Sequence, residues 1–143
     1  MTITLSKDLY TAHARATGGR EGHAASDDGV LDVDLAVPKE MGGPGGATNP
    51  EQLFAVGYAA CFQSALGAVG RRQKVDTSQS KVSTEVTIGP AADGAFGLRV
   101  GIHVSIPGVG TETAQQLTEA AHKVCPYSNA TRGNIEVTLS SDG

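Results

Sequence analysis

Two cysteines are the only thiols in this chain of 143 residues. Cys61 sits in the middle of "TNPEQLFAVGYAACFQSALGAVG", residues 48–70, a stretch that is apolar nearly all the way round. Cys125 closes "TAQQLTEAAHKVC". A free cysteine is among the most buried residue types and usually behaves as a small hydrophobe, so each thiol taken alone reads as core filler. Taken together they read differently. Both lie on faces that must point into one small core, where they could meet. Cysteines whose Cα atoms come within about 7 Å can be bridged without moving the backbone. In a reducing compartment such a pair is more often redox-active or metal-binding than structural.

Metal binding is the first competitor. His122 precedes Cys125 by three residues, so Cys61, Cys125 and His122 supply three potential ligands. No second short-spaced pair accompanies them, and His13, His23 and His103 are scattered along expected strands, so this signal is weak. The glycine-rich "GGPGG" loop ahead of the first helix lacks the G-K-[ST] of a phosphate cradle, and Glu51 would repel an anion arriving at that helix N-terminus. No G-x-S-x-G elbow appears, so acyl-transfer hydrolysis has no support. Phe54, Tyr58 and Phe62 recur at i, i+4 and i+8 and make up half of the three Phe and three Tyr in the chain. They read either as a core stripe or as the lining of an apolar pocket beside Cys61.

The elements that must carry these residues follow from pattern. Leu31, Val33, Leu35 and Val37 alternate with polar or small residues, giving a strand with one buried face. With Gly19, Gly22 and the Asp28-Gly29 turn signal, residues 8–38 read as two or three short strands. Asn49 as N-cap and Pro50 at the first position start a helix that runs to about Arg72. Val82, Thr84, Val86 and Ile88, then Leu98, Val100, Ile102, Val104 and Ile106, make two period-2 strands joined at Asp93-Gly94. A second helix is expected from Thr111 to Cys125, where Pro126 must stop it. "NIEVTLS" is a final strand. The expected order is β-β-β-α-β-β-α-β, a single α+β domain over residues 1–143 with two buried helices.

The totals exclude several classes. A hydrophobic fraction of 39% with 18% charged residues suits a folded globular chain. A net charge of −4 with no Lys/Arg-rich run argues against a nucleic-acid partner. No uninterrupted apolar run suggests a membrane span, and "MTITLSKDLY" lacks the form of a secretory signal. Two cysteines are too few for a disulfide scaffold, so a cytoplasmic chain is expected.

Three blocks are specific enough to compare with a known family: "YTAHARATGGREG" through "DDGVLDVDLAVPKEMGGPGG", then "TNPEQLFAVGYAACFQSAL", and "HKVCPYSNATRGNIEV". Together they resemble the organic hydroperoxide resistance (Ohr) proteins of the OsmC/Ohr superfamily, and "CPYSN" favours the Ohr branch. The resemblance implies that Cys61 is the peroxidatic nucleophile and Cys125 the resolving thiol. Arg20 of "GGR" would hold the Cys61 thiolate, with Glu51 orienting Arg20. It further implies an intertwined homodimer with antiparallel-type sheets, working without a metal or bound cofactor. Such a protein would reduce alkyl and fatty-acid hydroperoxides and be recycled by dihydrolipoamide or a lipoylated protein. The alternative from a different class is a thiol redox sensor or hydrophobic-ligand-binding protein that does not turn over.

Elementary electrostatics agrees with these roles. A cysteine of pKa about 8.5 is only roughly 3% thiolate at neutral pH, and burial lowers that further. A guanidinium about 4 Å away is worth roughly 4 kcal/mol at an effective dielectric near 20, enough to offset one or two pKa units of desolvation. Arginine cannot lose its proton, and a buried one needs a carboxylate partner, which gives Glu51 a task. Ten residues of helix separate Glu51 from Cys61 by about 15 Å, too far for one arginine fork to touch both easily. If Arg20 and Glu51 act at Cys61, one or both would come from a partner chain, with the first helices antiparallel about a two-fold axis.

Overall fold

The computed structural model describes residues 2–143. The chain forms two compact units, one ending at Pro50 and the other spanning Glu51–Gly143, although the sequence carries no linker between them.

The first unit is a three-stranded antiparallel meander, β1 (Ala14–Thr17), β2 (His23–Ser26) and β3 (Asp32–Asp34). Ala14 pairs with Ser26 and Thr17 with His23 across β1 and β2; His23 pairs with Asp34 across β2 and β3. A single 3-10 turn over Gly19–Glu21 joins β1 to β2 and sets Arg20 at its tip. Glycine is obligatory at its exit, since a β-carbon on Gly22 would stand 1.8 Å from the Thr17 carbonyl oxygen. The second turn is built by Ser26 and Asp28. The Ser26 hydroxyl donates to the Asp28 carboxylate at 2.6 Å, and that carboxylate accepts the Val30 N–H at 3.0 Å. Of the alternating apolar residues expected here, Leu35 is buried while Leu31 is 48% exposed, because the strand begins only at Asp32.

The second unit holds α1 (Pro50–Gln73), β4 (Lys81–Pro90), β5 (Phe96–Ser105), α2 (Thr111–Val124), α3 (Pro126–Thr131) and β6 (Val137–Asp142). The strands form one sheet in the order β4-β5-β6. The β4–β5 hairpin is antiparallel, pairing Lys81 with Ser105 and Pro90 with Phe96. β5 and β6 are parallel, with Val100 opposite Val137. The other strand pairings are antiparallel as expected; this one departs because the chain reaches β6 through a helical crossover, which returns it in the same direction. The expected final strand also moves a little later, to Val137–Asp142, and a short third helix joins the expected two.

The core of this unit lies between helices and sheet. Tyr58, Phe62, Leu66 and Val69 of α1 meet Val100, Ile102 and Val104 of β5 and Leu117 and Ala121 of α2. Two polar contacts fix α1 to β4 and the turn before it. The Thr84 hydroxyl donates to the Ala55 carbonyl at 2.8 Å, and the Gln63 amide donates to the Ser80 carbonyl at 2.9 Å. By length and composition α1 has the makings of a membrane crossing, but a helix that fills a protein core has the same composition, and Tyr58, Phe62, Leu66 and Val69 of this one lie in the core. It ends where Val75 N–H reaches back to the Gly70 carbonyl at 2.9 Å and Lys74 takes a left-handed φ of 58°.

Candidate active site

Pro126 builds the site. A residue before proline is driven out of the helical region, and Cys125 accordingly has φ −64° and ψ 123°. Its N–H still closes α2 by donating to the Ala121 carbonyl at 2.9 Å, while its own carbonyl accepts the Asn129 N–H at 2.9 Å and so starts α3. Cys125 is thus the elbow between two helices, and its side chain has no exposed surface. The elbow lies against α1, where Cys61 is only partly buried. The two sulfurs are 3.8 Å apart and both are free thiols.

Burial pushes the Cys61 thiol above its usual pKa. The Tyr127 N–H beside it pulls the other way, and Cys125 adds a further push upward. Burial outweighs the Tyr127 N–H here, and a nearby cation would favour the thiolate.

Three aromatic rings of α1 and α3 pack on one another. Tyr127 packs on Phe54 and Tyr58, with ring centroids 6.1 Å and 5.6 Å away, and Phe54 meets Tyr58 edge to face at 5.9 Å. Room for the Tyr127 ring comes from Gly57, where a β-carbon would stand 3.0 Å from the phenol oxygen. Tyr58 and Phe62 have no exposed surface. Both belong to the core, where the Tyr58 hydroxyl meets α3, 2.8 Å from Ser128 and 3.0 Å from Thr131. Phe54 remains at the edge of the core, joined by Tyr127, which is 39% exposed.

His122 is not gathered with the cysteines into a metal site; among the described residues no group of three His, Cys, Asp or Glu is placed to hold an ion. Its Nδ1 lies 2.8 Å from the Ser128 hydroxyl. Burial, reinforced by the Arg132 guanidinium, lowers its pKa and so favours the neutral ring.

Glu51 lies in the first turn of α1, ten residues before Cys61 on the same helix. Arg20 lies in the 3-10 turn of the first unit and is partly buried. Tyr127 and Ser128 were missed as site residues. The signal was available in "CPYS", where proline after cysteine forces an elbow and brings the next two residues back toward α1.

Among the described residues, three α-helices and two sheets make an α+β fold that brings two free thiols into contact. The chain belongs to the OsmC-like protein family, whose model matches residues 43–140, and within it to the organic hydroperoxide resistance branch. It is 53% identical over 136 residues to the organic hydroperoxide resistance protein of Xanthomonas axonopodis pv. citri, covering 94% of this chain and 95% of that one. A crystal structure of an organic hydroperoxide resistance protein from Legionella pneumophila superposes with a TM-score of 0.91 at 50% identity, covering 96% of this chain and all of the other. A third relative, from Vibrio cholerae, holds a molecule of captopril in one of its active sites. Its TM-score is 0.93 at 48% identity, covering 98% and 96% of the two chains.

Proposed function

We propose that the protein is a cysteine-based peroxidase that reduces organic hydroperoxides to alcohols. The observation that carries the reading is the 3.8 Å approach of a buried thiol to a partly accessible one. The names of its relatives supply the substrate class.

In the first step the Cys61 thiolate attacks one peroxide oxygen. The O–O bond breaks, the alkoxide leaves with a proton as the alcohol, and sulfur becomes a sulfenic acid after losing two electrons. In the second, the Cys125 sulfur attacks Cys61, an S–S bond forms, and the hydroxyl departs as water. A dihydrolipoyl dithiol, free or on a lipoylated protein, then reopens the disulfide by exchange, leaving two thiols here and an oxidised lipoyl ring.

Because burial raises the Cys61 pKa, the first step depends on a counter-charge. Arg20 is the residue we assign to it, held by Glu51, in a homodimer. Phe54 and Tyr127 form the apolar rim against which an alkyl chain would lie, with Tyr58 and Phe62 supporting it from the core. The reaction requires no metal or bound cofactor, and the cytoplasm, where lipoylated proteins and reduced thiols occur together, is the compartment it suits.

A peroxidase assay comparing H₂O₂ with an alkyl hydroperoxide, under dihydrolipoamide, glutathione and thioredoxin, tests the reading. Repeated turnover with dihydrolipoamide and preference for the alkyl substrate are expected, and Cys61→Ser abolishes both. A single oxidation that never recycles identifies a sensor instead.

A further inference from the structure

The segment that carries Cys125 is polar where a core would ordinarily be apolar. Ser128 and Thr131 of α3 are 0% and 5% exposed. Both are bonded to the hydroxyl of Tyr58, on α1, at 2.8 Å and 3.0 Å. The same Ser128 oxygen meets His122 of α2 at 2.8 Å. One hydroxyl therefore ties together all three helices of the unit. Thr131 donates in turn to the Ser128 carbonyl at 3.2 Å. At the end of α3, Arg132 donates to the His122 carbonyl and, at 2.8 Å, to the Asn129 side chain. Buried hydroxyls are costly unless they are bonded, so alanine or valine would fill this space more simply if packing were the only demand.

We propose that Ser128 is a positioning residue for the thiol pair: by linking Tyr58 of α1 to His122 of α2 it seats the Cys125 elbow at the distance from which its sulfur attacks Cys61. The two sulfurs sit in contact at 3.8 Å, and a disulfide needs about 2.05 Å, so closure is a short approach from a fixed starting point. The anchors lie on either side of the reacting atoms. Tyr58 precedes Cys61 by three residues on α1, and Ser128 follows Cys125 by three.

The network keeps its seat in either state of His122. With the ring neutral, Ser128 donates to Nδ1 and Tyr58 donates to Ser128. With the ring protonated, Nδ1–H donates to Ser128, Ser128 to Tyr58, and Tyr58 to Thr131. Every hydroxyl proton has an acceptor in both arrangements.

This assignment rests on the peroxidase reading only for its biological purpose, and the test separates the two. Dithiobis(nitrobenzoate) is attacked by the Cys61 thiolate, which leaves a mixed disulfide on Cys61 and releases a first thionitrobenzoate; release of the second times the attack of Cys125 on Cys61. In that step the Cys125 thiol loses its proton, the Cys61–Cys125 bond forms, and the mixed disulfide bond breaks with thionitrobenzoate as leaving group. In Ser128→Ala the second release is expected to slow about ten-fold or more, as expected for a displaced reacting group, while the first labelling changes by less than about two-fold. Tyr58→Phe removes the same bond from its other end without changing shape, so it carries the test if Ser128→Ala does not fold. The double variant should be no slower than the slower single one, because both break one network. An unchanged second release in folded Ser128→Ala or in Tyr58→Phe overturns the assignment. A parallel arm uses alkyl hydroperoxide in place of the disulfide reagent. If peroxide fails to oxidise the unmodified protein, the peroxidase reading falls while the positioning result stands.

Discussion

Gly57 offers a test of whether the Phe54, Tyr58 and Tyr127 cluster is packed as described. It lies inside α1, where replacing glycine by alanine ordinarily stabilises a helix by about 1 kcal/mol. Here the added β-carbon would meet the Tyr127 phenol oxygen at 3.0 Å and two of its ring carbons at 3.3 Å and 3.5 Å. The ring must retreat by a few tenths of an ångström. In retreating it loosens its contacts with Phe54 and Tyr58, each worth about 0.5–1.5 kcal/mol. Gly57→Ala should therefore bring no net gain, and up to about 2 kcal/mol of loss, once the helix gain is set against the weakened ring pairs. In a Tyr127→Ala background the obstruction is gone, and the same change should stabilise by about 1 kcal/mol. Thermal unfolding of the four proteins reads the coupling directly, with about 2–4 °C per kcal/mol for a chain of this size. If Gly57→Ala raises Tm equally in both backgrounds, Tyr127 does not lie on Gly57 and the rim assigned to it is wrong.

Three further outcomes are expected. Gly70→Ala places a β-carbon 2.7 Å from the Thr77 methyl and 3.0 Å from the Val75 carbonyl oxygen, so urea unfolding should show a loss of about 1–3 kcal/mol. Thr84→Val removes the hydrogen bond to the Ala55 carbonyl and should cost about 1 kcal/mol in the same assay. His23 lies between Asp34 and Asp32, at 2.8 Å and 2.7 Å, and its pKa is raised, first by the hydrogen bond to Asp34. The stability it brings is thus fully present below its unfolded pKa of about 6.5 and lost as pH rises through the higher folded value. Amide exchange of β2 and β3, corrected for intrinsic rates, should quicken across that window, and His23→Gln should abolish the effect.

Much of this was legible from residue types. Pro50 and Pro126 punctuate the helices, and the alternation in β4 and β5 places Val100, Ile102 and Val104 in the core, where the structure has them. The direction of β6 was not legible, because alternation along a strand is the same whichever way the strand runs. Helix α3 was hidden for a different reason: six residues are fewer than two turns, and its buried positions are Ser128 and Thr131, polar types that a pattern reads as surface. The meaning of the i, i+4, i+8 aromatic stripe was also undetermined. Spacing puts Phe54, Tyr58 and Phe62 on one face of α1, but only the fold shows that Tyr58 and Phe62 are fully buried while Phe54 sits at the edge of the core. The contact between Cys61 and Cys125 depends on how an elbow at position 125 meets a helix sixty-four residues earlier in the chain, which no local pattern encodes.

The central claim is that the two thiols form one peroxide-driven couple. Intact-mass measurement after one equivalent of alkyl hydroperoxide tests it most directly, with the wild-type protein beside Cys125→Ser. The wild type should lose two hydrogens, and peptide mapping should place a single bridge between Cys61 and Cys125, while Cys125→Ser should instead gain one oxygen on Cys61. A wild-type mass that does not change, or an oxygen gained at any residue other than Cys61, would contradict the account.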